Sequence, residues 1–208
     1  GARIFDGTGL RDGRAVLIAG GRIVDVVGED AIPGNAERRE VDGLLAPGFI
    51  DVQVNGGGGV LFNDSRTVDG IAAIGAAHRR FGTTGYLPTL ITDRRAAMAE
   101  AVAATRDALA VGVPGLLGIH LEGPFLNPER KGVHQPHYMR QIDEEDIALV
   151  TAPGAGRTLM TVAPEIVEPQ TIARLASSGV ILSAGHTKAT YETIRAARDA
   201  GLTGFTHL

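Results

Sequence analysis

The sequence predicts an α/β protein: a TIM-type (β/α)8 barrel, incomplete here at about six strands, preceded by a small β-sandwich-like domain. Three observations carry that prediction. From residue 44 onward, short apolar runs alternate with segments of helical periodicity, the pattern of parallel strands joined by crossover helices. Polar side chains stand at the C-terminal ends of several of those runs, where barrel enzymes place their functional groups: Gln53 and Asn55, then Glu122, His186 and His207. The glycines that follow the first run, Gly56 to Gly59, do not form the G-x-G-x-x-G opening of a nucleotide-binding helix, which weakens the doubly wound alternative.

Taken in order, residues 1–45 read as a small all-β domain. Apolar runs at 2–5, 15–19 and 22–27 are separated by turn signals, and Gly20-Gly21 between two of them is a hairpin signature. The stretch 31–42 carries Pro33, Gly34 and a charged cluster, and reads as a solvated connection with a return strand. The barrel portion spans 46–208. Its strands are expected at 48–54, 85–90, 116–121, 157–162, 180–183 and 203–208, with helices at 68–81, from Thr92-Asp93 to about 111, and at 143–150, 169–178 and 190–200. A full barrel needs roughly 250 residues. The expectation is therefore that two further strands lie beyond Leu208, because a six-strand arc leaves open edges.

Composition narrows the function. A net charge of −4 and the lack of any Lys/Arg block give no electrostatic footprint for nucleic acid. No apolar run reaches membrane-span length and the N-terminal residues do not resemble a signal peptide, so neither a membrane nor a secreted location is expected, and the cytoplasm is the simplest home. With no cysteine, thiolate metal sites and a cysteine nucleophile are excluded, and a metal would have to be held by imidazole and carboxylate. Glu122, His186 and His207 are ligand types of that kind from three separate strand ends. Three protein ligands leave one position open for water on a divalent ion. A single strand-end histidine is as readily a hydrogen-bonded packing residue, and spacing alone leaves both readings open, since no H-E-x-x-H type motif is present.

The strings LAPGFIDVQVNGGGG (45–59), GIHLEGPFLNPERKGVHQP (118–136), VAPE (162–165), SAGHT (183–187) and GFTHL (204–208) resemble, in order, the N-acetylglucosamine-6-phosphate deacetylase family of the amidohydrolase superfamily. The PGFID segment is shared across the superfamily, whereas HLEGPF followed by KGxHxP is specific to this family. The resemblance implies hydrolysis of the acetamide of N-acetylglucosamine 6-phosphate to glucosamine 6-phosphate and acetate. It further implies Glu122, His186 and His207 as ligands of one divalent ion, zinc, with iron or another divalent metal also compatible. Val133 would contact substrate through its backbone and His134 through its ring. Where many superfamily members carry His-x-His, this chain has Gln53-Val54-Asn55, so a single metal is expected, with Gln53 and Asn55 lining the site. The general acid/base aspartate is expected beyond Leu208, with no catalytic residue of that kind inside the chain. The expected partners are a phosphosugar and a second copy of the chain in a homodimer. Another amidohydrolase activity, such as a cyclic amidase or deaminase, and a non-catalytic amidohydrolase-like scaffold are the alternatives.

Overall fold

The computed structural model describes residues 2–152 and 154–207. The chain divides into two compact units, one ending at Gly48 and the other beginning at Phe49. In the first, Arg14–Ala19 and Arg22–Gly28 form an antiparallel hairpin. Its two turn residues, Gly20 and Gly21, both have positive φ, as a tight two-residue hairpin turn demands. Arg3–Phe5 pairs antiparallel with Leu10–Arg11 and parallel with Leu44–Leu45. The return strand thus falls at 44–45 rather than within 31–42. A short 3-10 turn, Glu29–Ala31, leads into that stretch, and its Glu37–Arg39 ion pair is almost fully solvated.

The second unit is a six-stranded parallel sheet. Its strands are β1 (Phe49–Val54), β2 (Thr83–Ile91), β3 (Gly118–Glu122), β4 (Arg157–Val162), β5 (Ile181–Ala184) and β6 (Gly204–Phe205). Each pairs with its neighbour in chain order, without a reversal. A doubly wound sheet would reverse at a switch point, so this order is that of a partial TIM-type barrel. Five helices connect the strands: α1 (Val68–Arg79), α2 (Arg95–Ala110), α3 (Glu144–Val150), α4 (Pro169–Ser177) and α5 (Tyr191–Asp199). The sixth strand was expected to run to Leu208, which lies outside the described residues; within them β6 is two residues long.

Local chemistry accounts for the helix starts. Thr67 accepts a hydrogen bond from the Gly70 amide ahead of α1, Asp143 and Asp146 form a capping box on α3, and Thr190 accepts from the Thr193 amide on α5. The expected start of α2 at Thr92-Asp93 differs. The helix begins at Arg95, so its N-cap position falls on Arg94, which supplies no side-chain cap, and the Thr92 hydroxyl lies against His134 instead. Apolar burial follows the barrel plan: Ile71 and Ile74 of α1, Met98 and Val102 of α2, and Ile172 and Leu175 of α4 pack with Ile119, Leu121, Met160, Val162 and Leu182 of the strands. Every residue of β3 is buried, as expected for a strand covered on both faces.

Alternation along β3 puts His120 and Glu122 on one face, two residues apart. Below Glu122, His120 contacts Thr89 Oγ1 at 3.2 Å through Nδ1 and Thr161 Oγ1 at 2.8 Å through Nε2; Thr161 in turn meets Thr206 Oγ1 at 2.9 Å. This chain of polar contacts satisfies a histidine that is 1% exposed, and burial pushes its pKa down to about 4, so it is neutral. Among the described residues, no helix is long and apolar enough to cross a membrane.

Candidate metal and substrate site

At the C-terminal ends of the strands lies a cavity of about 380 Å³, lined by Gln53, Asn55, Asn63, Ile91 and the loop residue Val133, together with Glu122, His134, His186 and His207. Glu122 is the last residue of β3 and is 2% exposed. Its Oε1 lies 2.7 Å from His207 Nε2 and 3.2 Å from His186 Nε2, while Oε2 stands 3.8 Å from His134 Nε2. Burial alone would raise the Glu122 carboxyl. The hydrogen bond from His207, the neighbouring His134 and His120 rings and the contact with His186 outweigh it and hold the group below the ordinary carboxylate range. Glu122 is therefore an anion.

One ligand atom from each of Glu122, His186 and His207 lies within 4.8 Å of the other two. The ligand edges of a tetrahedral zinc site with bonds of 2.0–2.2 Å are about 3.3–3.6 Å, so a small adjustment would accommodate an ion. The donor chemistry also fits. His186 Nδ1 lies 2.9 Å from the Arg130 carbonyl oxygen. A carbonyl can only accept, so Nδ1 carries the proton and Nε2 turns a lone pair toward Glu122, the tautomer a metal requires. The backbone supports the same assignment: His186 (φ +50) and His207 (φ +61) are the non-glycine residues with positive φ among those described. Such conformations are costly for a side-chain-bearing residue and collect at functional positions. Gly132, in the loop after β3, packs against the His186 ring, and a Cβ there would come within 3.3 Å of it.

His134 is buried and has the opposite arrangement. Its Nδ1 lies 3.3 Å from the Thr92 amide and 2.7 Å from the Thr92 hydroxyl. An amide N–H can only donate, so Nδ1 is the acceptor and Nε2 bears the proton, facing Glu122 and the cavity. Burial pushes the ring down to about 4, against the field of Glu122, so it is a neutral donor. Val133 is 83% exposed at the rim.

Two contributors to the site were not read as site residues in the sequence. Asn63 joins the cavity wall to β2: its amide donates to the Ile91 carbonyl and its oxygen accepts from the Ile91 N–H. Thr92 is the other. Their roles depend on approaches across 28 and 42 residues, for which no local pattern exists. Glu165, in the loop after β4, is engaged outside the cavity lining. It accepts hydrogen bonds from Asn127, Thr187 and the Lys188 amide, tying together the loops after β3, β4 and β5.

Residues 44–207 match the model of the amidohydrolase family. The chain belongs to that family. It is 41% identical over its whole length to an N-acetylgalactosamine-6-phosphate deacetylase of Shewanella sp., covering 54% of that protein, and 38% identical over 96% of its length to an N-acetylglucosamine-6-phosphate deacetylase of Haemophilus influenzae, covering 52% of it. It is also similar to the crystal structure of the N-acetylglucosamine-6-phosphate deacetylase from Pasteurella multocida, with a TM-score of 0.88 and 33% identity over all of this chain and 55% of that one. The chain thus spans about half the length of the relatives it matches.

Proposed function

We propose that this chain carries the metal and substrate site of a deacetylase that hydrolyses the acetamide of N-acetylglucosamine 6-phosphate, releasing acetate and glucosamine 6-phosphate. The carrying observation is the meeting of Glu122, His186 and His207 on one cavity with the neutral Nε2–H donor of His134. Family membership and the named activities of the relatives support the reaction class.

Glu122, His186 and His207 would hold one divalent ion, zinc or iron, in keeping with amides rather than imidazoles at Gln53 and Asn55. When bound, such an ion polarises a carbonyl and lowers the pKa of water to near neutrality. The chain itself supplies the rest. The His134 Nε2–H donates to the acetamide oxygen, where charge develops as the carbonyl is attacked. The Arg130 carbonyl holds His186 in its ligating tautomer, and Val133 offers backbone to the sugar at the rim. The proton for the leaving amine is not assigned to a residue of these 208. A homodimer, a cytoplasmic location and a β-sandwich-like character for residues 1–45, ahead of a barrel from 46, belong to the same proposal.

Acetate release by the full-length enzyme decides the reading. N-acetylglucosamine 6-phosphate should be preferred over the unphosphorylated sugar and over cyclic ureides; equal rates would refute it. A second reading concerns the hydroxyl at C4. The relative at 41% identity is named for the galactose epimer, so the same assay on N-acetylgalactosamine 6-phosphate tells which phosphosugar is the substrate.

A further inference from the structure

We infer that Thr92 is a positioning residue for His134: its hydroxyl and amide hold the imidazole in the tautomer that turns Nε2–H into the cavity. Thr92 directly follows β2 and is 4% exposed, and His134 is 2% exposed. The contacts leave two arrangements to weigh. In one, the Thr92 amide and hydroxyl both donate to Nδ1, at 3.3 and 2.7 Å. In the other, Nδ1–H donates to the hydroxyl, which must then pass its own proton to the Glu122 carbonyl at 3.4 Å, well beyond an ordinary O–H···O bond. That second arrangement also sets the Thr92 N–H against the Nδ1–H, leaving a buried donor without an acceptor. The first satisfies every group.

The fold makes room for this contact at a cost. Gly123, immediately after Glu122, has φ +91, and a Cβ on it would lie 2.2 Å from the Thr92 hydroxyl oxygen. The same Thr92 is absent from the start of α2, where a Thr-Asp pair would ordinarily cap. His186 and His134, with ring centroids 4.4 Å apart, are thereby made chemically unlike: a carbonyl behind one frees its Nε2 lone pair, and donors behind the other protonate its Nε2.

The kinetic consequence rests on the proposed amide hydrolysis, whereas the tautomer does not, so the two are tested separately. Nitrogen-15 NMR of the full-length, metal-loaded protein with labelled histidine, His134 being assigned from His134→Gln, should give an unprotonated Nδ1 and a protonated Nε2. The reverse pattern overturns the inference whether or not acetate is released. Thr92→Val should lower kcat/KM about tenfold, less than the roughly 10²–10³-fold for loss of a whole oxyanion donor because the amide N–H remains. Metal content should stay at the wild-type level, and Thr92→Ser should restore the rate. An unchanged kcat/KM in Thr92→Val, or a fall matched by loss of metal, would overturn the positioning role.

Discussion

Changing Glu122 to glutamine keeps the shape of the side chain and removes its charge. Two roles for the residue predict different outcomes. As a metal ligand, Glu122 is one of three protein donors. Zinc held by four ligands is worth roughly 10–16 kcal/mol in apparent binding, so one ligand contributes about a quarter, some 2.5–4 kcal/mol. At 1.4 kcal/mol per decade, that is about a 10²–10³-fold loss of affinity. As a purely structural ion, Glu122 would stabilise the fold through His207 and His186 at 2.7 and 3.2 Å, and the glutamine would lower the melting temperature with or without metal. We expect the ligand outcome. The contacts that hold the carboxylate below its ordinary range stabilise the fold in either role, so the metal-free variant should melt somewhat lower than metal-free wild type, and retention or loss of metal is what separates the two roles. The assay is metal content by mass spectrometry across a chelator series, paired with calorimetry of both metal-free proteins. Stoichiometric metal in Glu122→Gln under a chelator that leaves wild type loaded would refute the assignment.

His134→Gln should reduce kcat by roughly 10²–10³-fold in the acetate-release assay while metal content stays unchanged, since the ring is read as a donor and not a ligand. Gly123→Ala meets both a left-handed backbone and a 2.2 Å approach to Thr92, so it should cost about 2 kcal/mol or more in urea unfolding. Asp146, fully buried between Arg95 and Arg140, is pushed up by burial but held below its ordinary 3.8 by its bonds to Arg140 and Arg95. Its stabilisation is complete above that unfolded value and is lost as pH falls through the lower folded one. Asp146→Asn should therefore cost about 2 kcal/mol at neutral pH, the partial exposure of both arginines reducing the figure for a fully buried pair, and should flatten the acid limb of the melting profile.

How much of this was legible in the sequence varies with the range of the interaction. Strand β4 falls at 157–162 as the apolar run predicts, and α3 begins where Asp143 and Asp146 can cap it, because both signals are local. Glu122, His186 and His207 could be singled out because a polar residue at the end of an apolar strand is conspicuous. Their meeting at one point follows from the parallel order of the sheet. The return strand of the first unit was misplaced because Leu44–Leu45, two residues long, has no periodicity to detect. Thr92 read as a helix cap since its local context is that of a cap; only the return of the chain at residue 134 gives its hydroxyl a better partner. The tautomers of the histidines were beyond sequence altogether, being set by which backbone group, carbonyl or amide, arrives behind each ring.

The left-handed backbone at His186 and His207 has a consequence for stability. Glycine occupies that region without penalty and asparagine tolerates it, whereas a histidine held there costs about 1 kcal/mol or more. Under the proposed ligand role, folding preference and metal binding therefore pull in opposite directions at both positions. Replacing either histidine by glycine or asparagine should therefore raise the stability of the metal-free protein while removing an imidazole from the cavity.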